Sequence, residues 1–178
     1  MTRIGLFYGS STSHTEYVAD DLRKSLNEQL GSEIVDMHNV GSVGLDRMLD
    51  YEYLILGIPT WDIGELQADW DIAWADLEAL DLTGKKVAVF GVGDQYGYPD
   101  TYQDAAGILA ETVLACGAEL VGYTSTSGHE FENSLFVEGD QFMGLALDED
   151  NQPNQTPERL KNWAAQLVAE FGLAKVAV

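Results

Sequence analysis

Ile4-Gly5-Leu6-Phe7-Tyr8-Gly9-Ser10-Ser11-Thr12-Ser13-His14-Thr15-Glu16 is the stretch that decides the fold. A short apolar run closed by a glycine reads as a buried strand. It passes at once into a hydroxyl-rich turn and then into a helical pattern, with Val18, Leu22, Leu26 and Leu30 on one face and Gly31 beyond them. Strand, polar turn and helix in that order build an anion site. The first N–H groups of the helix lack partners, its dipole favours negative charge, and Ser and Thr hydroxyls add neutral donors. The turn holds no Lys or Arg, so a phosphate there rests on hydrogen bonds, with His14 as the sole cationic candidate. The Gly-Lys-Ser/Thr ending of a Walker A loop is missing. The competing reading is an N-cap rich in Ser and Thr after an ordinary strand.

Outward from this unit, strand and helix patterns alternate. Ile34-Val35 with Met37, residues 53–58, residues 87–92 and Leu120-Val121-Gly122-Tyr123 are the further strands. Leu66, Trp70, Ala73, Trp74, Leu77 and Leu80 recur at helical spacing, as do Ala105, Leu109, Val113 and Cys116 before Gly117. Thr156-Pro157 reads as an N-cap followed by a first-turn proline, opening a helix with Leu160, Trp163, Ala164, Leu167 and Phe171 inward. Such alternation argues for an α/β fold, a doubly wound parallel sheet of five strands with helices on both faces. Residues 124–143 break the rhythm and form a long insertion that interrupts or follows the last strand.

A length of 178 residues fits one domain, 1–178, and supports a proper core. No run is apolar enough to span a membrane, Met1-Thr2-Arg3 opens into the strand instead of a signal peptide, and Cys116 is the only cysteine. A reducing cytoplasm is therefore expected. Thirty acidic against nine basic residues leave −21, and between Arg47 and Arg159 the only cations are Lys85 and Lys86. Such a surface repels nucleic acid and anionic membranes and steers basic partners. General solubility or adaptation to high salt is the plainer explanation of the same charge.

Ligands of doubly wound sheets bind beyond the carboxyl ends of the strands. Two further loops share that edge with the Ser/Thr turn. One is Pro59-Thr60-Trp61-Asp62-Ile63-Gly64-Glu65, whose Trp61 lies outside the helical stripes. The other is Gly91-Val92-Gly93-Asp94-Gln95-Tyr96-Gly97-Tyr98, whose glycines are expected to let the backbone approach a ligand. Together they describe a pocket for a planar molecule bearing a phosphate. Trp70, Trp74 and Trp163 belong to helical stripes and read as core; His38 and His129 read as surface residues. No nucleophile–histidine–acid arrangement and no metal-ligand spacing is legible, so no catalytic or metal-binding residue is assigned.

The chain resembles the flavodoxins of the long-chain type over essentially its whole length. The matching pieces are Gly5-Leu6-Phe7-Tyr8-Gly9, Pro59-Thr60-Trp61, Gly64-Glu65-Leu66-Gln67, Gly93-Asp94-Gln95, Gly97-Tyr98 and Gly144-Leu145-Ala146-Leu147-Asp148-Glu149-Asp150-Asn151-Gln152. The resemblance implies strand order 2-1-3-4-5 and one non-covalent FMN that carries single electrons between protein partners. It assigns the phosphate to Ser10, Ser11, Thr12, Ser13, His14 and Thr15, and the two ring faces to Trp61 and Tyr98. The ring edge falls to Thr60, Asp62, Ile63 and Gly64 beside Pro59, and to Val92, Gly93 and Asp94, with Gln103 and Asp150 nearby. A monomer is implied that serves a basic flavoprotein reductase, of the ferredoxin/flavodoxin-NADP reductase type, and acceptor redox enzymes. An FMN-dependent quinone or nitro reductase on the same fold is the alternative. Ser13 stands where the family usually has Gly, and a positive φ there costs roughly 1 kcal/mol.

Overall fold

The fold follows from where the apolar side chains of each strand point. The computed structural model describes residues 2–174. Its strands and helices run β1 (Ile4–Tyr8), α1 (His14–Leu30), β2 (Val35–Asn39), β3 (Tyr53–Trp61), β4 (Glu65–Leu66), α2 (Ala68–Glu78) and β5 (Lys86–Val92). They continue as α3 (Asp104–Ala115), β6 (Glu119–Val121), β7 (Thr124–Ser125), β8 (Val137–Glu138), β9 (Gln141–Phe142), β10 (Leu145–Leu147) and α4 (Thr156–Glu170). Along β3, Leu54, Leu56 and Ile58 pack with Trp70, Leu77 and the α3 residues Ala105, Leu109 and Val113. Ile55 points the other way, to Leu22 and Leu26 of α1 and Leu160 and Leu167 of α4. The period of two on strands buried on both faces thus sorts the helices into an α2/α3 layer and an α1/α4 layer.

The parallel core of the sheet runs β2-β1-β3-β5, as expected, but its fifth position is shared. β6 pairs with the first half of β5, with Lys86 opposite Glu119 and Ala88 opposite Val121. β10 pairs with the second half, with Phe90 opposite Leu145 and Val92 opposite Leu147. The insertion therefore interrupts the last strand, leaving after β6 and re-entering at Gly144, where a Cβ would overlap the Val89 carbonyl. Its own strands form a small antiparallel sheet, β7-β9-β8.

Three sequence-based expectations need correction. Leu66 belongs to β4, because β3 runs on to Trp61 and doubles back, pairing Trp61 with Glu65. Thr156 does not cap α4. Gln155 holds that position without a side-chain bond, and the Thr156 hydroxyl donates to Glu149 instead. His38 and His129 are not surface residues: both are half-buried against aromatic rings. His38 lies 4.7 Å from the Phe7 ring centre and bonds the Tyr51 hydroxyl at 2.7 Å.

His129 contacts Tyr102 and Phe142, and its Nδ1 lies 2.9 Å from the Tyr102 hydroxyl. Burial, with Arg159 nearby, pulls the imidazole down to about 4. A histidine held neutral in the fold binds fewer protons than in the unfolded chain between pH 6.5 and about 4. The His129 contribution to stability is thus present at neutral pH and lost as pH falls through that window. In urea unfolding, His129→Gln is expected to lose less stability than the parent between pH 7 and 4.5. Parallel losses in both proteins would refute this.

Candidate functional site

At the carboxyl edge of the sheet, three loops surround a cavity of about 290 Å³. Thr12, His14, Thr15, Pro59, Thr60, Trp61, Asp62, Val92, Gly93, Asp94, Tyr98 and Asp150 line it. Ser10, Ser11, Ser13, Ile63, Gly64 and Gln103 stand outside that lining, each for a specific reason.

The first loop leads β1 into α1. Gly9 is required there because a Cβ would collide with Gln67 and Trp70. Ser10 Oγ is buried and has no partner, whereas Ser11 Oγ accepts a hydrogen bond from Gln67 Nε2 at 3.1 Å. Ser13 holds the N-cap position at φ 68°, in the left-handed region, and its side chain makes no capping bond. The strain expected of a serine in place of glycine is therefore present, and no capping bond offsets it. Relieving it by Ser13→Gly is expected to stabilise the ligand-free protein by about 0.5–1 kcal/mol, the greater flexibility of glycine in the unfolded chain offsetting part of the gain. A thermal midpoint that falls would contradict this.

The second loop is the β3–β4 hairpin. Asp62 at φ 43° and Gly64 at φ 81° make the turn between Trp61 and Glu65. Trp61 lines the cavity, and its Nε1 is buried without a partner. Ile63 points out to solvent. Gly64 packs under the turn against Asp104, whose Oδ2 would lie 3.1 Å from a Cβ there. Asp104 is itself buried, which raises its carboxyl above the usual range, and its Oδ1 accepts the Leu135 N–H at 2.8 Å. The adjacent Ala105 N–H donates to Thr60 Oγ1, so the start of α3 clamps both the hairpin and the insertion.

The glycines of the third loop have a second use, on the side away from the cavity. Gly91 and Gly93 leave room for the Gln103 side chain, and Gly97 for the Asp94 carboxylate; none of the three has a positive φ. Gln103 is fully buried beneath the loop, donating to the Leu147 carbonyl at 3.0 Å. The sequence shows that glycine is needed at these positions but not on which side the space is used. Asp94 Oδ1 accepts the N–H groups of Tyr96 and Gly97 at 3.1 and 2.7 Å, an Asx-type turn that presents a partly exposed Tyr98 at the cavity.

Two residues that hold the site together emerge only from the structure. Gln67 caps α2 by accepting the Trp70 N–H and ties α2 to the first loop through Ser11. Asp148, fully buried, accepts from Gln95 N and Nε2, Asp150 N, and Asn151 N and Nδ2. Gln95 Oε1 in turn accepts the Glu130 N–H of the insertion at 2.6 Å. Gln67 falls inside the apparent stripe that begins at Leu66, so nothing in the sequence marks it as a cap, and nothing marks Asp148 as buried.

The electrostatics are lopsided. Asp62, Asp94 and Asp150 line the cavity with His14 as the one histidine or cation among its lining residues. Partial burial, with Asp94 and Asp148 close by, raises the Asp150 carboxyl above its ordinary value, while His14 works the other way. Such a site resists further negative charge while offering a neutral hydrogen-bonding cradle at α1 and two aromatic side chains. No group of metal-binding side chains occurs among the described residues.

A family model described as Flavodoxin matches residues 6–163 of the chain. The flavodoxin of Nostoc sp. strain PCC 7120 is 48% identical over 171 residues, covering 96% of this chain and 98% of that protein. That of Synechococcus elongatus is 46% identical over 173 residues, covering 97% and 100%. The crystal structure of Fusobacterium nucleatum flavodoxin bound to flavin mononucleotide superposes with a TM-score of 0.86 at 35% identity, covering 96% of this chain and 99% of that one.

Proposed function

The chain belongs to the flavodoxin family, whose members are electron-transfer proteins rather than enzymes, and from that premise we propose how this particular chain holds and uses its FMN. Residues 1–178 act as one FMN-binding domain. The phosphate is held by Ser10, Ser11, Thr12, Ser13, His14 and Thr15 at the start of α1, and the ring lies between Trp61 and Tyr98. The observation that carries this reading is the pairing of those two aromatic loops with a helix N-terminus around one cavity. The orphaned Ser10 hydroxyl and Trp61 indole N–H support it, since buried donors without partners are costly unless a ligand accepts from them.

FMN supplies one-electron chemistry when bound; the protein tunes it. Trp61 and Tyr98 exclude water from the ring faces. Asp62, Asp94 and Asp150 disfavour added negative charge in the cavity, which makes the carrier a strong reductant. The Asp62–Ile63 peptide is the acceptor we assign to a flavin N–H. Reorienting it is resisted by β-branched Ile63 and by Asp62, already at φ 43°. The quinone or nitro reductase alternative is not favoured: two aromatic side chains over the ring leave little room for a substrate.

The test is stepwise anaerobic photoreduction of the purified protein, followed by its visible spectrum. A yellow protein reduced in two separate one-electron steps is expected. A colourless protein unchanged by added FMN would overturn the reading.

For partners, we infer a basic reductase of the ferredoxin/flavodoxin-NADP type and acceptor redox enzymes, with the chain a cytoplasmic monomer. Support comes from the net charge of −21 and from Asp62, Glu65, Asp69 and Asp71 beside the Trp61 loop. No helix among the described residues is long and apolar enough to cross a membrane. Converting those four residues to Asn or Gln is expected to slow reduction by a basic reductase about tenfold at low ionic strength, with the two proteins converging at high salt. Equal rates at every salt concentration would dismiss electrostatic steering.

A further inference from the structure

A second cavity, lined partly by the first residues of the insertion and by Leu145 and Trp163, shares no lining residue with the flavin site. Arg3, Arg23, Lys24 and Arg47 each sit against an aspartate, and Lys85 and Lys86 reach backbone carbonyls. Arg159, in the first turn of α4, is different. It is half-buried, forms no ion pair among the described residues, and spends Nη1 on the Gln152 side-chain carbonyl at 2.9 Å. It lines a cavity of about 190 Å³ also bordered by Thr124, Ser125, Ser127, His129, Asn162 and Gln166.

The chemistry of this cavity suits an anion. No carboxylate side chain borders it. Ser125 Oγ accepts the Ser127 N–H at 3.1 Å, which leaves its own O–H free to donate. The Ser127 hydroxyl and the Asn162 amide make no side-chain hydrogen bond among the described residues, and both border the same space. Asp148 acts on Arg159 only from a distance, and its oxygens are already occupied by N–H donors. Burial works against the guanidinium charge, a cost that a bound oxyanion would relieve. The net charge of −21 repels anions at long range, but ionic screening confines that repulsion to about 8 Å at physiological salt.

We propose that Arg159, Ser125, Ser127 and Asn162 form a second oxyanion subsite, for a phosphate-type group that is either free inorganic phosphate or the end of a small phosphomonoester. A fixed guanidinium fork with several neutral donors around it matches the many acceptor oxygens of a tetrahedral anion better than the two of a carboxylate. The inference stands apart from the FMN reading, because none of these residues lines the flavin cavity.

The test uses protein saturated with FMN, so that the α1 turn is filled. Inorganic phosphate and, separately, glycerol phosphate are titrated at constant ionic strength with chloride as balance, while NMR follows Ser127, Gly128, Asn162 and the Arg159 guanidinium. Saturable shifts confined to those groups are expected. In Arg159→Gln the affinity should drop about tenfold, the loss of one charge-assisted contact. Asn162→Asp, a substitution at an exposed helix position, should abolish binding by placing a negative charge in the cavity. Saturation by phosphate identifies the free ion as ligand, and saturation by the ester alone identifies the ester. Shifts that never saturate, or that persist unchanged in both variants, overturn the proposal.

Discussion

Asp148→Ala is expected to lower the unfolding free energy by about 3 kcal/mol or more, the largest stability loss of any single polar substitution argued for this chain. The carboxylate is fully buried and has no cationic partner among the described residues. Its two oxygens instead collect five N–H donors, at 2.7 to 3.1 Å. Removing it strands the buried backbone N–H and side-chain amide of Gln95, a loss of hydration as well as of bonds, and leaves the part-buried N–H groups of Asp150 and Asn151 to water. The damage extends beyond stability. Gln95 links Asp148 to Glu130, and Asn151 Nδ2 also reaches Asp94, whose turn sets Tyr98. Asp148→Asn should fall between parent and alanine, because its carbonyl still accepts while its NH2 faces other donors. Urea unfolding of the three proteins measures this. An alanine variant within 1 kcal/mol of the parent would show that water replaces the carboxylate at no real cost.

Trp61→Ala is expected to weaken FMN binding by about two orders of magnitude, close to 3 kcal/mol, from the loss of one large aromatic contact with the ring. Trp61 stands at the end of β3, held by its pairing with Glu65, so the substitution empties one cavity wall without touching the core. Trp61→Phe should keep most of the stacking surface and lose only the indole N–H, giving a smaller loss. Titration of the ligand-free protein with FMN, read by quenching of flavin fluorescence, compares the three directly. An alanine variant that binds as tightly as the parent would remove Trp61 from the ring face. A phenylalanine variant as weak as alanine would make the indole N–H, rather than stacking, its main contribution.

Much of this site is legible in local pattern. The Ser/Thr turn between β1 and α1 reads as a proposed anion cradle, and Trp61 and Tyr98 stand out because they fall outside every helical stripe. The structure lines one cavity with Thr12, His14, Thr15, Trp61 and Tyr98. The insertion at 124–143 is visible as a loss of periodicity. What it does there is not, because Phe131 and Phe142 meet Tyr102, and Phe136 stacks on Phe142, only once the chain has packed. The same limit explains the glycines of the third loop. Gly91 and Gly93 make room for Gln103, a residue that comes to lie behind them only once α3 has docked.

The layered α/β architecture is written in the chain, since alternation on strands and helical stripes are properties of neighbouring residues that survive in any tertiary context. So is the Ser/Thr turn, whereas the strain at Ser13 is fixed only by its left-handed φ of 68° in the fold. Packing, by contrast, makes β6 and β10 share one edge of β5. Packing also turns Asp148 into a buried junction and leaves Arg159 a cation without a carboxylate. Those outcomes depend on which groups meet across tens of residues, and burial and desolvation are properties of the packed whole.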